Sequence, residues 1–412
     1  MSGKQKIFIS CGELSGESHA SRLVIELYKR NPDLEIKALG SDILHELGVK
    51  LIQDYQDYSF SGVSEVAGNL NKILSLKDKL IEELEKFQPD VVVLVDYGAF
   101  NLQLAATIKT KLSKQPKIIE YIAPQIWASR PWRIKQIKAC VDKVLCTLPF
   151  EGKLYKEADI PHKYVGNPVI GSLTRAMSKD SFLKQFAKIQ ASKGQDCQPQ
   201  RDETLIGLFP GSRKAEIKYM LPVMIEASNK LIERNPERNL RFILARAPNI
   251  PRSLLKKYGL ASKLDLARGK RTHHIEVLDA DDMLAANHKL LSASDALWLC
   301  SGTVTLEAAL YTTPYFLAYK STLLNYLLYL MLRTIDKAGL ANIISGKDLC
   351  KEFLQFDASV HNFIEETEAW LGKDDFSDYY YQIKNNLNEL KEELSGQDSA
   401  KLAASEVLSH LN

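Results

Sequence analysis

Five consecutive residues, Val91-Val92-Val93-Leu94-Val95, limit the fold more than any other part of the chain. β-branched side chains favour extended backbone, and a strand without a polar position has no face to turn to water. Such a strand belongs inside a parallel sheet covered by helices on both sides. Short runs at Lys6–Cys11, Leu34–Leu39, Lys117–Ile122, Lys143–Cys146 and Lys163–Val165 alternate with helical patterns, as that architecture requires. The alternation resumes near Leu205, Leu240, His274, Ala296 and Tyr315. The expected class is α/β, with two Rossmann-like parallel-sheet domains.

Length supports the division, because 412 residues exceed what a single core usually serves. The first domain is expected over 1–170, ending at Asn167-Pro168. A polar stretch centred on Ser192-Lys193-Gly194-Gln195-Asp196 suggests a linker over 171–203. The second domain follows over 204–370, and charged amphipathic helices over 371–412 are expected to pack back across the domains. The N-terminus runs straight into a strand, leaving no room for a signal peptide, and no apolar run reaches the ~18 residues of a membrane span. Six scattered cysteines without Cys-x-x-Cys pairs favour a reducing cytoplasm over a disulfide scaffold or a zinc site.

Two strand–turn–helix units carry the most chemistry. Leu205–Phe209 reads as a strand, Pro210-Gly211-Ser212-Arg213 as a turn, and apolar residues from Ile217 onward recur at helical spacing. Pro222 predicts either a kink or a helix restarting at that point. Asp295–Cys300, Ser301-Gly302-Thr303 and Val304–Tyr311 repeat the pattern, with Glu307 one turn into the helix. Either unit alone is an ordinary αβ connection. Together, an arginine fork in one turn and a carboxylate behind the other suit a nucleoside diphosphate: phosphates on Arg213, the ribose diol on Glu307.

The first half offers a different set. Val91–Val95 delivers Asp96 to the carboxyl end of the sheet, where open α/β folds bind ligands; position alone leaves it as a helix cap or a base. The turn Gly12-Glu13-Leu14-Ser15-Gly16-Glu17 lacks Gly-x-Gly-x-x-Gly, and its two glutamates would repel a pyrophosphate, which argues against a dinucleotide there. Val63, Val66, Leu70, Ile73 and Leu74 lie in a weakly charged apolar stretch that is either core or a surface for acyl chains. In Pro124-Gln125-Ile126-Trp127-Ala128-Ser129-Arg130-Pro131-Trp132-Arg133, two tryptophans interleave with two arginines. Residues 101–175 hold 13 Lys and Arg against 5 Asp and Glu, so an anionic partner suits this half. The net charge of only +3 and the absence of a nucleic-acid motif disfavour nucleic acid; anionic lipid headgroups fit the pattern, and a solvated basic surface without a partner is the plain alternative.

Other features have plainer readings. His273-His274 reads as strand rather than metal pair, and Asp279-Ala280-Asp281-Asp282, though it contains Asp-x-Asp, reads as a helix cap. Leu323–Leu332 is apolar nearly all round, expected as a buried helix, a contact in a homodimer, or a membrane-facing patch. Asn342, polar in an apolar loop, is placed to contact a ligand.

Taken in order, these motifs resemble the lipid-A-disaccharide synthase family, inverting glycosyltransferases of GT-B architecture. The resemblance runs through Gly12–Glu17, Pro89–Asp96, Phe100-Asn101, Pro124–Ala128, Leu148–Glu151, Pro210–Arg213 with Glu216-Ile217, Ser301–Glu307, Ala318–Lys320, Ala341-Asn342 and Phe353–Gln355. It implies two domains facing each other across a cleft. It also implies condensation of UDP-2,3-diacylglucosamine with 2,3-diacylglucosamine 1-phosphate at the cytoplasmic face of the inner membrane, without metal or other cofactor. By the same resemblance Asp96 is the general base. Gly211, Ser212, Arg213, Ser301, Gly302, Thr303, Glu307 and Asn342 bind UDP, and Glu13, Ser15, Gly16, Asn101 and Gln125 shape the sugar side. Val63 to Leu74, with Arg130 and Arg133, meet lipid. The chain departs from the family at Glu17, where Asp is common, at Ala341, where Pro is usual, and at Ser129, where Trp is typical.

Overall fold

The computed structural model describes residues 4–58, 69–194, 202–260, 275–373 and 375–411. The chain separates into two compact units, Met1–Gly171 with Gly396–Asn412, and Ser172–Ser395. In the first unit the strands are β1 (Lys6–Ser10), β2 (Glu35–Gly40), β3 (Lys50–Asp54), β4 (Val91–Val95), β5 (Lys117–Tyr121), β6 (Lys143–Cys146) and β7 (His162–Tyr164). They form one sheet in the order β3-β2-β1-β4-β5-β6-β7, every pair parallel. The all-apolar strand takes the middle position, and each of its five residues is fully buried.

In the second unit the strands are β8 (Thr204–Phe209), β9 (Leu240–Arg246), β10 (Glu276–Asp279), β11 (Ala296–Cys300), β12 (Tyr315–Tyr319) and β13 (Glu352–Leu354). Their order is β10-β9-β8-β11-β12-β13, again all parallel. Two short edge strands, β3 and β13, escape the sequence reading, because partly exposed edges show no clean apolar period. In each sheet the chain changes direction once, between β1 and β4 and between β8 and β11. Loops leaving such neighbours diverge to opposite faces and open a crevice at the carboxyl ends of the strands.

Three expectations need correction. The stretch 171–203 is not a bare linker: Lys179–Ser192 is a helix, capped where the Ser178 hydroxyl accepts from the Ser181 amide. It buries Phe182, Leu183 and Phe186, and Lys179 pairs with Asp295 at 2.8 Å within the second unit. The C-terminal helices divide between the units. Asp378–Leu394 belongs to the second, while Ser399–Leu408 packs on Leu14–Arg30 of the first. There Glu406 pairs with Lys143 and, at 2.8 Å, with Lys163, and Tyr121 meets Ser399 at 3.0 Å. Leu323–Leu332, expected first as a buried helix, has Leu323, Leu324, Leu327, Leu330 and Met331 exposed.

Of the two outcomes expected at Pro222, the restart does not occur, since Lys214–Arg234 is one helix with Pro222 inside it. Val63, Val66 and His273-His274 lie outside the described residues. The helix Leu70–Phe87 starts at Leu70, with Ile73 half-buried and Leu74 exposed. Among the described residues no helix is long and apolar enough to cross a membrane.

The second unit is held by an aromatic cluster centred on Trp298 of β11. Its ring lies 5.4 Å from Phe242, 5.7 Å from Phe316 and 5.5 Å from Phe363, and its indole N–H donates to Thr367 at 3.1 Å. Replacing Trp298 by Ala leaves a cavity in the core and removes the donor to Thr367, whose own hydroxyl still donates to the Phe363 carbonyl at 2.7 Å. We expect a loss of ~3–5 kcal/mol, read as a lowered urea midpoint.

Candidate active site

In the first unit, Ser10 ends β1 and Val95 ends β4, and Asn101 ties them together. The Ser10 hydroxyl donates to Asn101 Oδ1 at 2.7 Å, and the Asn101 amide reaches the carbonyls of Ser10 and Val95 at 3.4 and 3.5 Å. Asn101 is fully buried and these contacts consume it, so it does not line the sugar side as expected. Glu17 is likewise internal: it accepts from the amides of Ser41 and Leu44 and from the hydroxyls of Ser41 and Tyr55. Its carboxylate is thus directed at the loop after β2 and away from any ligand at the strand ends.

Asp96 stands where this frame opens. Its φ of 38° lies in the left-handed region, which costs of order 1 kcal/mol and persists only where the surroundings impose it. Ile122, just past the end of neighbouring β5, is also left-handed (φ 64°), an uncommon state for a β-branched residue. Ser15 hydrogen-bonds the Asp96 carboxyl, while Gly16 is buried so close that a Cβ there would lie 3.2 Å from Asp96 Cβ. Burial, with help from the Glu13 charge, raises Asp96 to about 6 despite the Ser15 bond. A carboxyl at that value is ionised at neutral pH yet basic enough to take a proton.

Sequence reasoning missed Glu120 on β5, the register partner of Leu94. It is fully enclosed, neither oxygen has a partner, and burial first and Asp96 second raise it to about 8. Its position in an apolar strand was the available signal. Gln125 is exposed in the loop after β5, where its carbonyl accepts from the amides of Ala128 and Ser129. Trp127 donates to Glu151 at 3.0 Å and stands edge-on to Phe150. Arg130 and Arg133 are both half-buried; burial and then Arg130 lower the Arg133 pKa. Neither has an acidic partner among the described residues.

In the second unit, Gly211 has φ 110°, and a Cβ there would lie 2.4 Å from Glu216 Oε2. Glycine is required twice over, for the backbone and for the carboxylate. Glu216 turns back to accept the amides of Ser212 at 2.9 Å and Arg213 at 3.1 Å. Those two N–H groups, expected to meet a phosphate, are already occupied. What the turn offers outward is the Arg213 guanidinium, 57% exposed and only loosely tied to Glu216 at 3.4 Å.

The turn after β11 is more open. Gly302 and Thr303 are exposed, and their amides have no acceptor among the described residues; Ser301 is half-exposed and donates its amide to Ala318. Glu307 follows on the helix Val304–Leu310, raised to about 7 by burial, and its carboxyl has no hydrogen-bond or ion-pair partner among the described residues.

Two residues close off. Asn342, on the helix Leu340–Ser345, is 2% exposed. It donates to Cys350 O and Glu352 at 2.8 Å each and accepts from the amides of Leu349 and Cys350. All four of its hydrogen-bonding positions are used, so it shapes the loop instead of contacting a ligand. Asp279 accepts from Arg246, Arg252 and Lys193; burial alone would raise it, but these bonds win and hold it at about 2. It serves as an ion-pair hub in place of the expected helix cap alone.

A comparison with known proteins bears on this geometry. The family described as lipid-A-disaccharide synthetase matches residues 7–407. A lipid-A-disaccharide synthase of Syntrophus aciditrophicus is 32% identical over 97% of this chain and 96% of that protein. Lipid-A-disaccharide synthase 1 of Legionella pneumophila is 33% identical over the same shares, and the Myxococcus xanthus enzyme 30% identical over 90% and 89%. Among solved structures, the UDP-GlcNAc 2-epimerase of Neisseria meningitidis bound to UDP-GlcNAc aligns with TM-score 0.59 at 15% identity, covering 98% of this chain and all of that one. A glycosyltransferase of Rickettsia africae aligns with TM-score 0.53 at 15% identity, over 98% and 99%. These two likenesses establish the GT-B fold and nothing finer. By its match over nearly the whole length, the chain belongs to the lipid-A-disaccharide synthase family of glycosyltransferases.

Proposed function

We propose that the protein transfers 2,3-diacylglucosamine from UDP to the 6-hydroxyl of 2,3-diacylglucosamine 1-phosphate, forming a β(1→6) disaccharide 1-phosphate and UDP. The observation that carries this reading is Asp96: a poised carboxyl on a strained backbone, at the switch point of a sheet, in a chain of this family. The acceptor hydroxyl attacks the anomeric carbon opposite the leaving group and the carbon–oxygen bond to the diphosphate breaks. The hydroxyl proton passes to Asp96, a step worth ~10²–10⁴-fold. Ser15 orients the carboxyl, and burial, with the Glu13 charge second, keeps it basic.

On the donor side, Arg213 meets the negative charge growing on UDP, joined by the unengaged amides of Gly302 and Thr303. Gly211 and Ser212 set that arginine in place instead of binding phosphate themselves. Glu307 accepts hydrogen bonds from the ribose hydroxyls, which supply the partners its buried carboxylate lacks. Arg130 and Gln125 on the loop after β5, with Arg133 at the start of the helix Arg133–Cys140, hold the acceptor phosphate or an anionic headgroup. The protein would work at the inner face of the inner membrane, where both lipid substrates lie. An epimerase of the same fold is the competing activity; conversion of UDP-GlcNAc without an acceptor would favour it. Incubation with both lipid substrates tests the main reading directly, and no UDP release would overturn it.

Asp96→Asn should retain the fold and lose at least ~100-fold in kcat. Because the base must be ionised, kcat/KM of the unsubstituted enzyme should fall as pH drops through about 6, and the residual activity of Asp96→Asn should lack that limb. Arg213→Ala should weaken UDP by ~10–100-fold in titration calorimetry, the scale of a charge-assisted bond. Glu307→Gln should weaken UDP ~10-fold while leaving 2′,3′-dideoxy-UDP unaffected, which separates ribose recognition from diphosphate recognition.

A further inference from the structure

We propose that the helix Leu323–Leu332, together with Phe356, is a docking face for the surface of an anionic lipid bilayer. This deepens the transfer reading above and rests on it for the need to reach acylated substrates. The exposed side chains of the helix, Leu323, Leu324, Leu327, Leu330 and Met331, recur at spacings of three and four and make one stripe. Leu324 is 68% exposed, Met331 81% and Phe356 73%, values unusual for such large apolar groups in a folded chain.

The stripe is built, not frayed. Thr322 caps the helix by accepting from the Asn325 amide at 3.3 Å. Gln355 clamps the approach to it: its carbonyl accepts from the Ser321 amide at 3.1 Å, and its amide donates to the Ser321 carbonyl at 3.0 Å. That clamp brings Phe356 edge-on to Tyr326, 6.3 Å between rings. Rigid apolar groups have been fixed pointing into water.

Several observations favour a bilayer as the occupant. From Ser321 to Leu332 there is no acidic or basic residue, and Asn325 is the one amide, so the face lacks the hydrogen-bonding rim of a protein interface. Half-buried Tyr326 and Tyr329 stack at 6.4 Å beneath the stripe, and cations stand at both ends, Lys320 before the helix and Arg333 after it. Lys320 has no carboxylate partner among the described residues, lying instead 3.5 Å from the Ala358 carbonyl. Among the described residues Arg333 has one carboxylate partner, Asp336, which is 94% exposed, and its guanidinium lies 6.0 Å from the Tyr329 ring; Lys337 pairs with Asp348. Such surface pairs exchange readily for lipid phosphate. Ten residues span ~15 Å, too short to cross a bilayer but suited to lying in its interface.

Location gives the face a use. β12 runs through Lys320 into this helix, and in a parallel sheet it ends on the same edge as β8 and β11, which carry the turns of Arg213 and Gly302. A bilayer met here lies beside the loops that hold the donor, so its acyl chains need not leave lipid.

The test is sedimentation with vesicles of phosphatidylethanolamine and phosphatidylglycerol, without nucleotide sugar. The full chain is compared with a variant carrying Leu324→Ser, Met331→Ser and Phe356→Ser. We expect the unsubstituted protein to bind, and the variant at least ~10-fold more weakly, with UDP affinity and thermal unfolding unchanged. Equal binding, or none by the unsubstituted protein, overturns the assignment. So does a lipid-free measurement in which the substitutions turn a dimer into monomers, which would make the face a contact between copies. UDP release in detergent micelles, run on both proteins, reports on the transfer reading separately, so the two failures stay distinguishable.

Discussion

Everything chemical in this chain hangs on a constraint of parallel sheets: where strand order reverses, the loops on either side cannot cover the ends of the strands. β1 and β4 meet at such a reversal, and so do β8 and β11. The first reversal brings the half-buried Ser15 and Asp96 together at the strand ends; the second exposes Arg213 and the open turn at Gly302. No local motif could achieve this alone. The helices that fill both faces of each sheet force the strands parallel, and parallel order puts every outgoing loop on one edge.

Holding those loops still takes internal anions. Glu17 accepts the amides of Ser41 and Leu44, Glu151 those of Thr147 and Leu148, Glu216 those of Ser212 and Arg213, and Glu352 those of Ala338 and Gly339. Each glutamate satisfies two backbone donors of a turn that has no ladder partner, a device that fixes loop shape without metal or disulfide. It also accounts for glutamates in regions proposed to handle phosphate: their oxygens are turned inward onto backbone amides and not toward the ligand.

The strands that fill the sheet centres were legible because apolar runs with β-branched residues admit few alternatives; β4 and β6 appear with the anticipated bounds. Edge strands β3 and β13 were not, since partial exposure erases the pattern. The helix Lys179–Ser192 was hidden by its solvent face: a tally of polar residues reads as linker, although Phe182, Leu183 and Phe186 line up on one side. Motifs located the turns correctly but could not say which polar atoms face outward. Asn101 and Asn342 belong to recognisable sequence signatures, yet both are consumed internally. A signature records that a residue is needed, and a structural need leaves the same trace as a chemical one.

What separates the two kinds of need is compensation. Glu17, Glu216 and Glu352 are buried or nearly so but matched by donors, and nothing further is required of them. Asp96, Glu120 and Glu307 are raised to about 6, 8 and 7, each chiefly by burial that hydrogen bonding does not offset. Glu120 is sealed on every side, so it answers its desolvation by holding a proton at neutral pH, and it leaves Asp96 without an added negative neighbour. Asp96 and Glu307 still reach the surface. A carboxylate kept short of partners just after an open strand end, or on the helix that follows one, is costly for folding alone, and that cost is recovered when a ligand supplies the missing donors. By that criterion these two side chains, one in each unit, are where substrate chemistry is to be sought.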